Sequence, residues 1–206
     1  MNVLDLSATL GLMATISLTL NMLLGMLLGT AYRKSRLWKR LPPGVRKLRL
    51  FTLHNWTAYL SLTLVLLHPI LLLFDASTKF RAIDIVFPLH APTQRWAVAV
   101  GTVSFFMVVG IVLSSQKALR VKLGFRLWKN IHLLSYAAAI LFVVHGIVLD
   151  PLLKDRPVDF LDAEKAVSEL CALVLLAATL LRYRYYHRTI TDGRHGSSRP
   201  DMGRQP

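Results

Sequence analysis

Apolar and charged positions along the chain fall into separate blocks. Residues 6–32, 51–74, 96–116 and 131–149 contain no Asp, Glu, Lys or Arg, and Arg95 and Lys117 flank the third block. Each block is long enough to cross a bilayer core of about 30 Å as a helix. A fifth block, residues 166–181, is shorter and carries Glu169. It reaches spanning length if Arg182, Arg184 and the rings of Tyr183, Tyr185 and Tyr186 lie among the headgroups. The pattern predicts an all-α integral membrane protein, a bundle of five transmembrane helices at about residues 6–31, 51–74, 96–115, 131–149 and 166–185.

Composition agrees, since 54% of the residues are hydrophobic. The formal net charge of +14 taken alone suggests nucleic acid, but its distribution changes that reading. Of the 25 Lys and Arg, eight lie between the first two blocks, five between the third and fourth, and six after Leu181. The remaining two connections hold three each: Lys79, Arg81 and Arg95, then Lys154, Arg156 and Lys165. This alternation is the positive-inside pattern, so the N-terminus is expected outside and the C-terminus inside. The partner of the basic face is then membrane lipid, or an acidic docking protein, and no nucleic acid is expected. An integral, multi-pass protein of a bacterial inner (plasma) membrane is the expected setting. Residues 1–188 form one membrane domain and 189–206 a disordered basic cytoplasmic tail. The first block is expected to be retained, because its "MNVLD" start has an acid and no base and its apolar run is too long for a cleaved signal. The short segment "AIDIVFPLHA" is expected to rest on the outer surface.

Cys171 is the single cysteine, which excludes a disulfide or thiolate metal site within one chain, and no Cys-x-x-Cys-His occurs. No Gly-rich phosphate loop is present, so no nicotinamide or ATP site is expected.

Four of the seven histidines lie inside the apolar blocks: His54 and His68 in the second, His132 and His145 in the fourth. A single histidine in such a place is as often a hydrogen-bonding helix contact as a ligand. Here two blocks of the same direction each carry two, separated by fourteen and thirteen residues, roughly 20 Å of helix. Side by side, these helices would set His54 level with His132 and His68 level with His145. Two stacked sites result, each able to offer two neutral imidazoles to one metal, as axial haem ligation requires. The helical repeat opposes this in one respect. At about 100° per residue, fourteen steps return to nearly the same face, but thirteen fall about 140° short. A tightened 3₁₀ turn, a bend, different rotamers, or sites on different flanks would be needed.

The stretches "LRLFTLHNWTAYLSLTLVLLHP" and "SSQKALRVKLGFRLWKNIHLLSYAAAILFVVHG", with Leu-Gly-x-x-x-Trp-Lys ahead of His132, resemble the ferric-reductase-like transmembrane domain. That superfamily includes ferric reductases, the membrane core of NADPH oxidases and the haem subunit of methionine sulfoxide reductase. The resemblance covers residues 48–150 closely and the rest loosely. It implies two b haems, ligated by His54 with His132 and by His68 with His145, and electron flow from the cytoplasmic side outward. Family cores usually have six spans against five here, and the oxidases continue into flavin and NADPH domains. The chain is thus expected to be an oxidoreductase subunit served by a separate donor protein or by a quinol, the latter adding a quinone site. Ferric ion, dioxygen or a periplasmic or extracellular protein would be the acceptor.

Haem propionates need donors at both ends. Arg49, Arg126 and Lys129 are the candidates inside and Arg95 outside, each with headgroup snorkelling as the plain alternative. Trp56, Trp96 and Trp128 read as interfacial belt residues and Phe142 as packing. His90 reads as a solvated loop residue, and His187 and His195 as exposed. Pro69 bends or ends its helix, and Glu169 lies at the outer interface. No catalytic acid, base or nucleophile is required. Two rival readings are a haem-containing anchor exchanging electrons between the quinone pool and a separate reductase, and a haem-free transporter or assembly factor using the histidines for metal or protons.

Overall fold

A computed structural model describes residues 2–30, 32, 36–149 and 163–196. In chain order the helices are α1 (Val3–Leu28), α2 (Arg36–Arg40), α3 (Pro43–Arg46), α4 (Leu50–Leu72), α5 (Ala82–Val86), α6 (Arg95–Ser114), α7 (Lys117–Leu133), α8 (Ser135–Val148) and α9 (Ala163–Gly196), with a 3₁₀ turn at Pro88–His90. No strand occurs among the described residues. Five segments have the length and apolarity to cross a membrane: α1, α4, α6, α7 with α8, and part of α9, Lys165–His187. The protein is an all-α membrane bundle.

Local chemistry sets the ends of these helices. Asn2 caps α1: its Oδ1 accepts from Asp5 N–H at 2.7 Å, and Asp5 Oδ2 accepts from Asn2 N–H at 3.1 Å. That reciprocal pair satisfies two orphan donors and puts an acid at the positive helix end. Pro43 opens α3, where its missing N–H costs nothing. Pro69 lies inside α4, which ends within one further turn at Leu72.

Three boundaries differ from the sequence expectation. The basic stretch before the fourth span is not a loop but helix α7, interrupted at Gly124 by φ 72° and ψ 162°. The five basic residues from Lys117 to Lys129 bar that part of it from the bilayer core, yet Lys, Arg and Leu are good helix formers. The fourth span breaks at Leu134 into α7 and α8. Helix α9 runs on to Gly196, past the expected start of a disordered tail at 189, because extending an existing helix adds a bond for each residue fixed. Residues 197–206 and the acidic segment 150–162, with Lys154 and Arg156, lie outside the described residues.

The spans alternate in direction. Helix α1 packs along α4, α6 along α8, and α9 closes the bundle against α1 and α8. Outward faces carry exposed Met13, Leu20, Leu60, Val103 and Ile140, as lipid contact requires. Inward faces carry small polar residues that let backbones approach. Ser17 and Ser61 meet at 2.8 Å between α1 and α4, and Asn21 Nδ2 donates to Thr57 Oγ1 at 2.8 Å and to the His54 carbonyl at 2.6 Å. Helices α4 and α8 run in the same direction but do not pack extensively on each other. They face one another across the bundle, with α1 on one flank and α6 on the other.

Candidate functional site

The four intramembrane histidines all turn into the gap between α4 and α7–α8. His54 faces His132 with ring centroids 6.3 Å apart, and His68 faces His145 with centroids also 6.3 Å apart. Ring planes cross at 75° in both pairs. His68 and His145 lie toward the end that holds Asn2, the amino end, and His54 and His132 toward the opposite, basic end. Where α7 gives way to α8, Leu134 N–H donates to the Ile131 carbonyl at 3.0 Å, an i→i−3 bond. One tightened turn of this kind rotates the chain about 20° farther per residue than an α-helix does, and so makes up roughly 60° of the 140°.

Three of the rings are held from behind. His68 Nδ1 lies 2.8 Å from the Ser7 carbonyl oxygen, His145 Nδ1 lies 2.8 Å from that of Ala97, and His54 Nδ1 lies 3.1 Å from that of Asn21. A carbonyl oxygen only accepts, so Nδ1 carries the hydrogen in each bond. The neutral ring then presents its lone pair at Nε2. This is the arrangement that orients metal-binding histidines and strengthens them as donors. Ser7 adds a second anchor, its hydroxyl donating to the His68 carbonyl at 2.8 Å. His132 differs: its Nδ1 is buried with no hydrogen-bond partner. Its ring instead stacks on Trp128, centroids 5.3 Å apart and planes 26° apart. Trp128 is fixed in turn by Nε1–H donation to Ser115 Oγ at 3.3 Å and by the Arg120 guanidinium, 5.6 Å from its ring centroid.

Glycines make room for these same three rings. A Cβ on Gly25 would lie 3.2 Å from the His54 ring, on Gly11 3.0 Å from that of His68, and on Gly101 2.6 Å from that of His145. Gly11 and Gly25 on α1 share the fourteen-residue spacing of His68 and His54 on antiparallel α4. Sequence reasoning missed these glycines, although the matching interval was there to be read.

What lies between the rings can be tested by distance. A metal–imidazole bond is about 2.0–2.1 Å, and a ring nitrogen lies roughly 1.2 Å from its centroid, so two imidazoles gripping one metal from opposite sides have centroids about 6.4–6.6 Å apart. Both pairs, at 6.3 Å, come close to that spacing. A cavity of about 500 Å³ adjoins the amino-end pair, lined by Ser7, Gly11, His68, Gly101, Phe105 and His145 among others. Among the described residues no three His, Cys, Asp or Glu side chains come together as a conventional metal cluster. Each site offers two protein ligands, which suits a metal whose other positions are filled by a macrocycle.

The remaining candidates lie farther out. Arg49, Arg126 and Lys129 are exposed at the basic end, and Arg95 is exposed at the amino end with Nε donating to the Ala91 carbonyl at 3.2 Å. None of the four lines the cavity. Trp56 and Trp96 are exposed, as belt residues are, whereas Trp128 serves His132. Phe142 is buried with Met26, Ala139 and Leu175. His90 and His187 are exposed, and the side chain of His195 lies outside the described part.

The model of one protein family, described as ferric reductase like transmembrane component, matches residues 10–143. That stretch includes His54, His68 and His132 and stops just short of His145. No curated protein and no solved structure gives a match to the chain.

Proposed function

The chain belongs to the ferric-reductase-like transmembrane family, and on that premise we propose that it carries electrons across the membrane between two bis-histidine haems. His54 with His132 holds one b-type haem near the basic end, and His68 with His145 holds a second near the amino end. The observation that carries this reading is the equal 6.3 Å separation of the two ring pairs, with Nδ1 of three rings committed to backbone carbonyls. Each haem, held by the two imidazoles of its pair, would supply a one-electron iron couple suited to electron transfer.

The chain's own residues do the rest. The carbonyls of Asn21, Ser7 and Ala97 fix ring orientation and donor strength, so little reorganisation accompanies a change of charge. Leu18, Val108 and Phe142 present apolar surface to the cavity beside His68 and His145, which suits a flat apolar macrocycle. The basic end faces the cytoplasm by its charge, so electrons enter beside His54 and His132 and leave beside His68 and His145. The acceptor lies outside, whether ferric ion, dioxygen or a partner protein.

Single replacements test this reading. His68→Ala and His145→Ala are expected to remove the same haem, and His54→Ala and His132→Ala the other, as read by haem content and reduced-minus-oxidised spectra. Loss of both haems to equal extents in every variant would refute separate sites.

A further inference from the structure

Arg182 stands on α9 within a membrane-spanning segment, half-buried, and its side chain crosses to α1. Its Nη1 donates to the Met26 carbonyl at 3.3 Å. Its guanidinium also lies against Gly29, where a Cβ would be 2.6 Å from Nη2 and 3.1 Å from both Cζ and Nη1. The bond to Met26 uses one of five N–H donors. The one ion pair among the described residues joins Arg81 and Asp84, so no described carboxylate neutralises Arg182. The neighbouring basic segments, residues 32–49 and 116–130, contain no Asp or Glu at all. A charge in a membrane-spanning segment is costly to leave without a counter-ion, and no described residue supplies one.

The place of this cation narrows its role. Gly25 and Gly29, the C-cap of α1, are four residues apart and lie along one face of that helix, their Cβ positions about 5–6 Å apart. A Cβ on the first would touch the His54 ring at 3.2 Å and one on the second would touch Arg182. The guanidinium therefore lies within about 12 Å of the His54 ring, one helical turn farther toward the basic end. A macrocycle held at His54 would carry its carboxylates at its rim, within reach of a long side chain at this distance. The planar fork of an arginine matches a carboxylate in two parallel bonds.

We propose that Arg182, seated over Gly29, is the anion-holding residue of the basic-end site and binds a propionate carboxylate of the haem held by His54 and His132. This rests on the two-haem reading above. A lipid phosphate at the membrane surface offers the same oxyanion chemistry. A cation fixed beside the haem favours its reduced form, so its removal lowers that haem's midpoint potential whichever oxyanion it holds. Repeating the titration in phospholipid-free detergent tells the sources apart: the wild-type midpoint stays where it is for a propionate partner, and rises if a lipid phosphate is lost from the arginine, which would overturn the assignment.

The test is an optical redox titration of the purified chain and four variants. In Arg182→Gln, one midpoint is expected to fall by about 59 mV, a tenfold change in the one-electron ratio, with the other unmoved. The moving component is the one that disappears in His54→Ala. Arg182→Lys is expected to restore most of the shift. Gly29→Ala keeps the charge and displaces it, and moves the same midpoint part of the way. Gly29 has φ −78°, so alanine fits the backbone and this variant decides the matter if Arg182→Gln fails to fold. Unchanged midpoints, or equal movement of both, would overturn the assignment. A wild-type chain without haem would instead remove the reading beneath it.

Discussion

Replacing Gly101 by alanine is a sharp perturbation of the amino-end site, because its size can be worked out. The added Cβ would lie 2.6 Å from both Cε1 and Nδ1 of His145, against an optimal carbon–carbon contact of about 3.5–4.0 Å. The ring must retreat by about an ångström. Retreat also pulls Nδ1 off the carbonyl of Ala97, now at 2.8 Å and one turn before Gly101 on α6. Overpacking of this kind and a lost buried hydrogen bond together cost roughly 2–4 kcal/mol. Affinity at that tier should fall by roughly 30- to 700-fold. The helix itself gains, since alanine is better than glycine in a helix interior by about 0.8–1 kcal/mol. Gly101→Ala should therefore fold normally while losing the haem of His68 and His145. The same substitution elsewhere grades the effect: Gly11 at 3.0 Å and Gly25 at 3.2 Å should lose less, Gly25 at the other tier, and Gly110, with nothing within 4 Å, should lose nothing. The assay is haem per chain and the difference spectrum, with far-UV circular dichroism on heating as the folding control. Full haem content in Gly101→Ala, or equal loss in Gly110→Ala, would refute the reasoning.

Three other outcomes are expected. Trp128→Ala should weaken only the His54–His132 site, by up to about tenfold for a lost aromatic stack, and Trp128→Phe should recover most of it, both read as tier-specific haem loss. Asp84→Ala removes the carboxylate that accepts the Arg81 backbone N–H at 2.9 Å at the start of α5, and should cost about 1 kcal/mol in thermal unfolding, with Asp84→Asn milder. In a Cys171→Ser background, Lys39→Cys and Lys117→Cys should react with an impermeant thiol reagent from one side of the membrane, and Lys79→Cys and His90→Cys from the other. All four labelled from the same side would break the alternation of spans.

Much of this arrangement is legible in residue types alone. Lipid forbids charge over about twenty residues, so five crossings stand out as apolar blocks. Histidines are conspicuous there because so little else in those blocks titrates near neutral pH. The gaps have physical causes. Helix α7 is hidden because Lys117, Arg120, Lys122, Arg126 and Lys129 exclude it from hydrocarbon, and exclusion from hydrocarbon does not distinguish helix from loop. The turn at Leu134 is one of several ways to reconcile a thirteen-residue step, and leucine carries no signal for it. The carbonyls of Asn21, Ser7 and Ala97 come from backbone, which every residue has, so no residue type marks them. Gly11, Gly25 and Gly101 act through the side chain they lack, and in an apolar block they read as ordinary members. By sequence Arg182 belongs with the headgroups, since only the tertiary contact with Gly29 shows that it turns inward.

The central claim is that two pairs of imidazoles each grip one iron porphyrin inside the bilayer, and haem quantitation of the purified chain tests it most directly. After expression with ample haem, the expected preparation is red, holds two non-covalent haems per chain, and shows the reduced-minus-oxidised bands of low-spin b haem. A folded, helical and colourless preparation would contradict it, and the four facing rings would then need another ligand.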